Sequence, residues 1–308
     1  MKPATIEQLT PYQITQADTL ERFGTLHVPA AAEPPVLSRG VRAAMHQWMT
    51  EIGAEDELAA MGLAPRRTGI FSGPPGCGKT TLAHHLAARL RLPLYLVDMH
   101  RLTSKWIGET GENVGRMFTA LRRNADRLVL LLDEFDAMAS KRIDDGKGAS
   151  REKNAIVISF LQEIDRADSV IIAATNRADA IDPALWRRFG MHVEIGLPDG
   201  EQIFAITKRY LAPLTLPDEA LHDLAALLEG ATPALIRQIM EGVKRDLLFA
   251  PRLQQPAGAA STFGRVLATV QPAEDLPRPP LYEASQVFAR LPWPPAGMPV
   301  AKPAPKAA

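Results

Sequence analysis

The sequence lacks the features that would tie it to a membrane, an oxidising compartment or a nucleic acid. Its 308 residues contain a single cysteine, Cys77, so no intramolecular disulfide can form. Lys plus Arg and Asp plus Glu each number 35, and this zero net charge argues against a protein that coats nucleic acid. The apolar runs 128–132 and 170–174 are too short to span a bilayer, and the N-terminus has no signal-peptide core. We therefore expect a cytoplasmic protein with no membrane partner.

Short apolar stretches alternate with helical patterns through the middle of the chain. The apolar stretches are 68–72, 94–98, 128–132, 170–174 and 192–195. Continuous apolar strands separated by helices are typical of a parallel sheet covered on both faces. The pattern predicts an α/β fold, a three-layer sandwich around a parallel five-stranded sheet. After Pro198 the strand pattern stops, and residues 200–248 predict three helices of a small α-helical domain.

These patterns divide the chain into four regions. Residues 1–35 predict an N-terminal arm or linker with little structure of its own. Residues 36–198 would hold the large α/β domain, and residues 199–250 the α-helical lid domain. Residues 251–308 contain 12 of the 26 prolines, which predicts a mostly irregular tail without a packed core.

The stretch from residue 73 to residue 80, Gly-Pro-Pro-Gly-Cys-Gly-Lys-Thr, fits the phosphate-loop pattern G-x-x-x-x-G-K-[ST]. Its glycines would let backbone N–H groups cradle phosphates, Lys79 would meet the terminal phosphates, and Thr80 would offer its hydroxyl to Mg²⁺. A strand before the motif and a helix after it distinguish it from a surface turn. We expect ATP and Mg²⁺ as cofactors. The predicted nucleotide-binding residues are Gly73, Pro74, Pro75, Gly76, Cys77, Gly78, Lys79, Thr80 and Thr81.

Two carboxylates, Asp133 and Glu134, follow the apolar run 128–132. Acidic residues at the exit of a buried strand are costly unless they serve a metal or a reaction. Beside a phosphate loop, Asp133 is predicted to support Mg²⁺ and Glu134 to polarise the attacking water as a general base. Taken alone, the pair would also fit a polar turn after a strand.

Together with these motifs, three further stretches resemble the core of the AAA family of AAA+ P-loop ATPases, in its protein-remodelling subgroup. They are Asp136–Ala139 with Arg142, Thr175-Asn176 at the end of a strand, and Asp182–Phe189. The resemblance implies a P-loop sandwich in which Asn176, as sensor 1, holds the attacking water or the γ-phosphate. It also implies that Arg187 and Arg188 act as fingers on the nucleotide of a neighbouring subunit, so that hydrolysis requires assembly.

The resemblance covers residues 36–246 and does not include the arm or the tail. The sequence departs from the family pattern after Phe189, where Gly190-Met191-His192 lacks a further glycine-arginine step. This resembles the shorter version in severing enzymes such as spastin and katanin. It leaves open which of Arg187 and Arg188 is the dominant finger.

The segment after the second predicted strand indicates a protein substrate. Lys105, Trp106, Ile107 and Gly108 resemble pore loop 1 of ring-shaped AAA unfoldases, in which an aromatic residue grips the client. A flat aromatic side chain can wedge between the side chains of an extended polypeptide without reading its sequence. The alternative is that Trp106 anchors the loop on the body of the domain. Residues 141–153 would lie at a second pore loop, although a solvated loop fits them equally well.

The leading hypothesis is an ATP-hydrolysing homo-oligomer, a hexameric ring that remodels or unfolds an unknown protein client through the aromatic pore loop. The alternative is a nucleic-acid-associated AAA+ motor or loader, which the zero net charge and the lack of a recognisable nucleic-acid module disfavour. A third possibility is a nucleotide-dependent scaffold, which would not need Glu134, Asn176 and both arginines. The sequence has no H-E-x-x-H or G-x-S-x-G protease motif, so degradation would require a separate partner.

Overall fold

The computed structural model describes residues 20–28, 34–102, 109–123, 128–138, 148–166, 168–283 and 287–297. These residues fall into two compact units. The first unit lies within residues 1–35 and 39–196, and the second combines residues 36–38 with the chain from Leu197 onward. The division lies close to the expected boundary after residue 198, but the predicted lid and tail belong to one unit.

A six-stranded sheet, counted over the described residues, forms the centre of the first unit. Its strands are β1 (Gly24–His27), β2 (Thr68–Ser72), β3 (Leu94–Val97), β4 (Val129–Leu132), β5 (Val170–Thr175) and β6 (Met191–Glu194). The order in space is β1-β3-β4-β5-β2-β6, and all neighbours pair in parallel except β1, which is antiparallel to β3. The predicted α/β fold is confirmed, and the five predicted strands are β2 to β6.

The prediction of five strands was wrong by one, because β1 lies in the region that was assigned to the arm. β1 has only four residues, and its Thr25 and Leu26 are exposed, so it lacks the continuous apolar run of a central strand. Its first residue approaches β3 closely. A Cβ on Gly24 would lie 2.3 Å from the carbonyl oxygen of Leu96. An antiparallel strand at the edge of a sheet can face water, and its hydrophobic signal is therefore weak.

Helices cover both faces of this sheet. They are α1 (Arg39–Gly53), α2 (Glu55–Ala60), α3 (Lys79–Leu90), α4 (Met99–Leu102), α5 (Glu109–Arg123), α6 (Gly148–Ile164) and α7 (Pro183–Trp186). Successive strand side chains point to opposite faces. Leu130 and Leu132 join a core that includes side chains of α5 and α6, and the alternate residues Val129 and Leu131 are also fully buried. This arrangement gives the three predicted layers.

Strands β4, β5 and β2 are parallel neighbours, so their carboxyl ends lie at the same edge of the sheet. Ser72 at the end of β2 lies opposite Thr175 at the end of β5. The residues that follow β2, β4 and β5 are Gly73, Asp133 and Asn176. In open α/β sheets, ligands bind outside the carboxyl ends of the strands. The sheet therefore collects the predicted site residues at one edge.

The second unit is helical and contains the three predicted helices. They are α8 (Gly200–Leu211), α9 (Asp218–Leu227) and α10 (Pro233–Phe249). Asp199 and Gln202 form a capping box at the start of α8, and the Thr232 side chain accepts a hydrogen bond from the backbone of Leu235 at the start of α10. Such caps satisfy N–H groups that have no partner within the helix.

The expectation that residues 251–308 lack a packed core is corrected by the structure. A further helix, α11 (Ala259–Thr269), buries Phe263 in the core of the second unit. The ring of Phe263 stacks on Phe288 at a centroid distance of 4.7 Å. Thr215 and Ala296 exchange two backbone hydrogen bonds of 2.9 Å. The prolines lie between the buried apolar residues and do not replace them, so proline content alone was a poor guide.

Among the described residues, no helix combines the length and the apolar character that a membrane crossing requires.

Candidate functional site

The phosphate loop connects β2 to α3, and three of its glycines have backbone conformations that other residues rarely adopt. Their φ angles are +144° for Gly73, +77° for Gly76 and +96° for Gly78. A Cβ on Gly73 would also lie 2.1 Å from the carbonyl oxygen of Ile195. Gly78 directly precedes α3, so the first-turn N–H groups of this helix lie at the end of the loop. A loop of this kind followed by a helix N-terminus is suited to binding phosphate.

Lys79 is the first residue of α3, and its ammonium group is buried inside the loop. Its Nζ donates hydrogen bonds to the carbonyl oxygens of Gly73 (2.8 Å) and Pro74 (2.9 Å) and to Oδ1 of Asn176 (2.7 Å). These three bonds match the three donors of an ammonium group. The structure thus brings together Lys79 and Asn176, two predicted site residues that are 97 positions apart.

Burial has a clear effect on the titration of two loop residues. Burial lowers the pKa of Lys79, and the nearby Cys77, Asp133 and Asp136 oppose this shift only in part. Burial also raises the pKa of the Cys77 thiol, against the opposing charge of Lys79. A thiol with a raised pKa is a poor nucleophile. Cys77 therefore acts as a small packed residue of the loop.

Asp133 follows β4 and meets Thr80 from α3. Thr80 Oγ1 donates a hydrogen bond of 2.7 Å to Oδ2 of Asp133, while the other carboxylate oxygen accepts from the backbone N–H of Glu134 at 3.0 Å. One carboxylate and one hydroxyl are oxygen ligands of the kind that Mg²⁺ uses together with water and phosphate. The donor set therefore fits the predicted metal.

Glu134 has a left-handed backbone, with φ of +52° and ψ of +40°, and its side chain is exposed. This conformation costs on the order of 1–3 kcal/mol in a residue other than glycine and persists only where its surroundings impose it. The next residue, Phe135, is fully buried and packs edge-to-face on Phe160 (5.3 Å) and Phe189 (5.8 Å). The buried ring fixes the turn, and the turn keeps the Glu134 carboxylate at the surface beside Asp133.

The turn after β4 is also joined to the end of β5. Thr175 Oγ1 donates a hydrogen bond of 2.7 Å to Oδ1 of Asp136, and the backbone N–H of Asn176 donates to the same oxygen at 3.3 Å. Neither Asp136 nor Thr175 was predicted as a site residue. The sequence signal for this link was Asp136 itself, a third carboxylate close after Asp133 and Glu134, because three acidic residues at the end of a buried strand indicate a functional or structural role.

The two predicted arginine fingers lie on the turn after α7. Asp182 caps this helix by accepting from the backbone of Ala184 at 2.8 Å. Arg187 Nε donates to the carbonyl oxygen of Pro183 at 3.1 Å, and Arg188 forms a 3.0 Å ion pair with Asp165. Both arginine side chains are exposed, whereas Lys79 of the phosphate loop is buried.

Several predicted residues lie outside the part of the chain that the structure describes. They are the pore-loop residues Lys105, Trp106, Ile107 and Gly108, together with Arg142 and most of the charged segment 141–153. Their flanks are described: α4 ends at Leu102, and α5 begins at Glu109. The pore loop therefore stays a prediction from the sequence.

Comparison with known proteins adds a family assignment to this geometry. Residues 70–197 match the model of the family described as "ATPase family associated with various cellular activities (AAA)". The uncharacterized AAA family ATPase y4kL of Sinorhizobium fredii is 33% identical over 259 residues, which cover 82% of this chain and 74% of that protein.

Other relatives match a shorter stretch. The proteasome-activating nucleotidases of Pyrococcus abyssi and Methanopyrus kandleri are 36% and 35% identical over 185 and 186 residues. Each match covers 58% of this chain but only 46% and 42% of the respective nucleotidase, so the chain spans less than half of their length. Among solved structures, the AAA domain of FIGL-1 superposes with a TM-score of 0.66 at 22% identity, over 89% of this chain and 94% of that one. At this identity the likeness concerns the fold alone.

Proposed function

The chain belongs to the AAA family of ATPases, and we propose that it works as a homo-oligomeric ring, hexameric as the family resemblance implies, that uses ATP to remodel or unfold a protein client. The observation that carries the hydrolytic part is the meeting of Lys79 with Asn176 and of Thr80 with Asp133 at one edge of the sheet. A scaffold that only binds nucleotide would not need this complete set beside an exposed Glu134.

Each residue has a role that follows from its position. Lys79 and the loop N–H groups would bind the phosphates, and ATP would replace the internal hydrogen bonds of the Lys79 ammonium group. Thr80 and Asp133 would hold Mg²⁺, which neutralises phosphate charge when it is bound. Glu134 would accept a proton from the attacking water, and Asn176 would orient that water or the γ-phosphate.

Arg187 and Arg188 would complete the site of a neighbouring subunit. Both side chains are exposed, and the ion pair of Arg188 with Asp165 is itself open to solvent. An exposed ion pair contributes about 0–1 kcal/mol, so a phosphate group can replace the carboxylate. An arginine that reaches the transferring phosphoryl group stabilises the charge of the transition state. This proposal makes ring assembly a condition for hydrolysis.

The protein client is proposed from two independent features. The first is the sequence Trp106-Ile107-Gly108, which lies between α4 and α5 along the chain and resembles an aromatic pore loop. Two of the similar proteins are called proteasome-activating nucleotidases, a name that links them to a protein-degrading partner. A nucleic-acid motor finds less support, because the net charge is zero and the sequence Trp106-Ile107-Gly108 of the predicted pore loop has no basic residue.

A substrate trap tests this function. Glu134→Gln protein should bind ATP but hydrolyse it at least about 100-fold more slowly, because the general base is lost while the phosphate loop is intact. The variant is purified with ATP from its native cell, and bound macromolecules are identified by mass spectrometry and nucleic-acid staining. One enriched protein that is absent from a Glu134→Gln, Trp106→Ala double variant would support a client gripped by Trp106.

Two controls separate the alternatives. Glu219→Gln, which changes an exposed glutamate at the start of α9, should hydrolyse ATP like the unmodified protein and trap nothing. Enrichment of nucleic acid in place of a protein would favour the motor. Full ATPase activity in Glu134→Gln would show that this residue is not the base.

A further inference from the structure

We propose that Asp136 is a positioning residue for hydrolysis, which holds Asn176 in place through Thr175. The proposal rests on the proposed ATPase function and adds two residues to its site. Asp136 lies in the turn after β4, and Thr175 is the last residue of β5. The link therefore joins the two strands whose ends carry Asp133 and Asn176.

The link consists of hydrogen bonds that all point toward Asp136, from the residues at and after the end of β5. Oδ1 of Asp136 accepts from the Thr175 hydroxyl at 2.7 Å and from the Asn176 N–H at 3.3 Å. Thr175 Oγ1 in turn accepts from the N–H of Arg177 at 3.0 Å. Two successive backbone N–H groups after β5 are thus bound by one carboxylate and one hydroxyl.

The chemistry of this link requires an acceptor at position 136. Thr175 is almost completely buried, so its hydroxyl has to find a partner within the protein. Because that hydroxyl accepts from Arg177, its single proton is free to be donated, and the carboxylate of Asp136 takes it. The turn that presents Asp136 is rigid, since the neighbouring Phe135 is fixed between two buried aromatic rings.

The backbone of Asn176 determines where its amide points. Its Oδ1 accepts the 2.7 Å hydrogen bond from Lys79 Nζ, the group that would meet the terminal phosphates. Asp136 therefore fixes the main chain of the residue whose side chain touches the phosphate-binding lysine. Displacement of a reacting or orienting group by about 1 Å can reduce a rate about 100-fold. None of these hydrogen bonds joins Asp136 to Lys79, and we expect the effect of Asp136 on turnover to pass through Asn176; the charge of Asp136 also acts on Lys79, and Asp136→Asn separates the two effects.

The first test separates turnover from binding. Asp136→Ala and Thr175→Val each remove the link, and each should lower kcat about 10- to 100-fold while the KM for ATP changes less than about 3-fold. Thr175→Val keeps the shape and the buried volume of the side chain, so it serves if Asp136→Ala does not fold. Thr175→Ser keeps the hydroxyl and should recover most of the activity. Unchanged kcat in Thr175→Val, or a fall in its melting temperature alone, would overturn the proposal.

The second test asks whether Asp136 acts through Asn176. In an Asn176→Ala background there is no amide left to position, so adding Asp136→Ala should lower kcat by less than about 2-fold. Losses that multiply in the double variant would show that Asp136 acts by another route and would overturn the proposal. If Asp136→Asn, which keeps an Oδ1 acceptor, is nearly as active as the unmodified enzyme, the hydrogen bond and not the charge carries the effect. If Asp136→Ala, Thr175→Val and Asn176→Ala all lost ATP binding altogether, the proposed nucleotide site itself would be in doubt.

Discussion

The two units of the molecule bury polar groups in different ways. In the described part of the first unit the buried polar side chains include charged residues, among them Lys79 and Asp182. In the described part of the second unit they are three threonines, Thr207, Thr232 and Thr262. A buried charge is costly unless it is paired or used. Asp182 caps a helix, whereas the charge of Lys79 lies in the phosphate loop, where a bound nucleotide would use it. The described part of the second unit has no charged residue among its buried side chains and is organised for packing.

This difference leads to an expectation about mutations. Changes to the exposed polar groups of the nucleotide site should alter turnover and leave the stability of the fold almost unchanged. Changes in the second unit should alter stability and leave the turnover of folded protein unchanged. Each prediction below tests one side of this contrast.

The largest effect is expected from Arg187→Ala, in the exposed turn of the first unit. If the arginine completes a neighbour's site, the variant should lose about 1,000-fold in kcat, because transition-state charge is left uncompensated. Its melting temperature should stay within about 1 °C, since exposed substitutions change stability little. Arg252→Ala, at an exposed arginine of the second unit, is the control and should keep full activity.

A mixing experiment makes the same prediction sharper. Arg187→Ala subunits retain Glu134, and Glu134→Gln subunits retain Arg187. When the two inactive proteins are mixed, some sites should pair an intact Glu134 with a neighbour's intact Arg187 and regain activity. A mixture as inactive as its components would contradict fingers that act between subunits. Repeating the mixture with Arg188→Ala would show which arginine is dominant.

The site was predicted from the sequence where its signal was local. The phosphate loop, the carboxylates after β4 and the end of β5 each occupy a few consecutive residues, and the parallel sheet brings them to one edge. The link between Asp136 and Thr175 could not be predicted in this way, because it joins residues 39 positions apart that sit in different strand exits. The sequence signal for it is a third carboxylate, Asp136, and the order of the strands decides which residue this carboxylate contacts.

The errors in the fold have the same physical origin. β1 pairs with β3 through backbone groups. Backbone pairing does not require particular side chains, so a strand of four residues has no clear signal in the sequence. The packing of the C-terminal region depends on the contact between Phe263 and Phe288, which are 25 positions apart in a proline-rich segment. Composition describes the average of such a segment, while a few buried side chains decide whether it folds.

A moderate effect is expected in the core of the second unit. Phe263→Leu removes a ring that stacks on Phe288 and also contacts Trp293 at 5.9 Å. We expect a loss of about 1.5 kcal/mol in the free energy of unfolding, measured by urea denaturation, because the smaller side chain leaves a cavity. Leu253→Ala changes a side chain that is 64% exposed and should cost less than about 0.5 kcal/mol. A fall in kcat per folded molecule would break the contrast between the units.

The smallest effect is expected from the ion pair between Asp246 and Arg265, which joins α10 to α11. The guanidinium binds both carboxylate oxygens at 2.7 Å, and these hydrogen bonds from Arg265 lower the pKa of Asp246, against the effect of burial. Because the folded-state pKa is below that of the unfolded chain, the pair stabilises the fold above about pH 4. That stabilisation is lost as the pH falls through the lowered pKa.

Asp246→Asn should therefore be less stable than the unmodified protein by up to about 1 kcal/mol at pH 7, as expected for a partly exposed bidentate pair. The difference should be the same at pH 5 and should shrink when urea unfolding is repeated at pH 4 and pH 3, since an Asn and a protonated Asp carry the same charge. Asp223→Asn, at an exposed carboxylate of α9, should show no comparable difference at pH 7. A deficit that is constant from pH 7 to pH 3 would mean that the charge of Asp246 does not carry the stabilisation, and that the loss of an acceptor oxygen for Arg265 does. The joining of α10 to α11 would then not depend on this charge, and the contrast with the buried Lys79 of the first unit would be stronger.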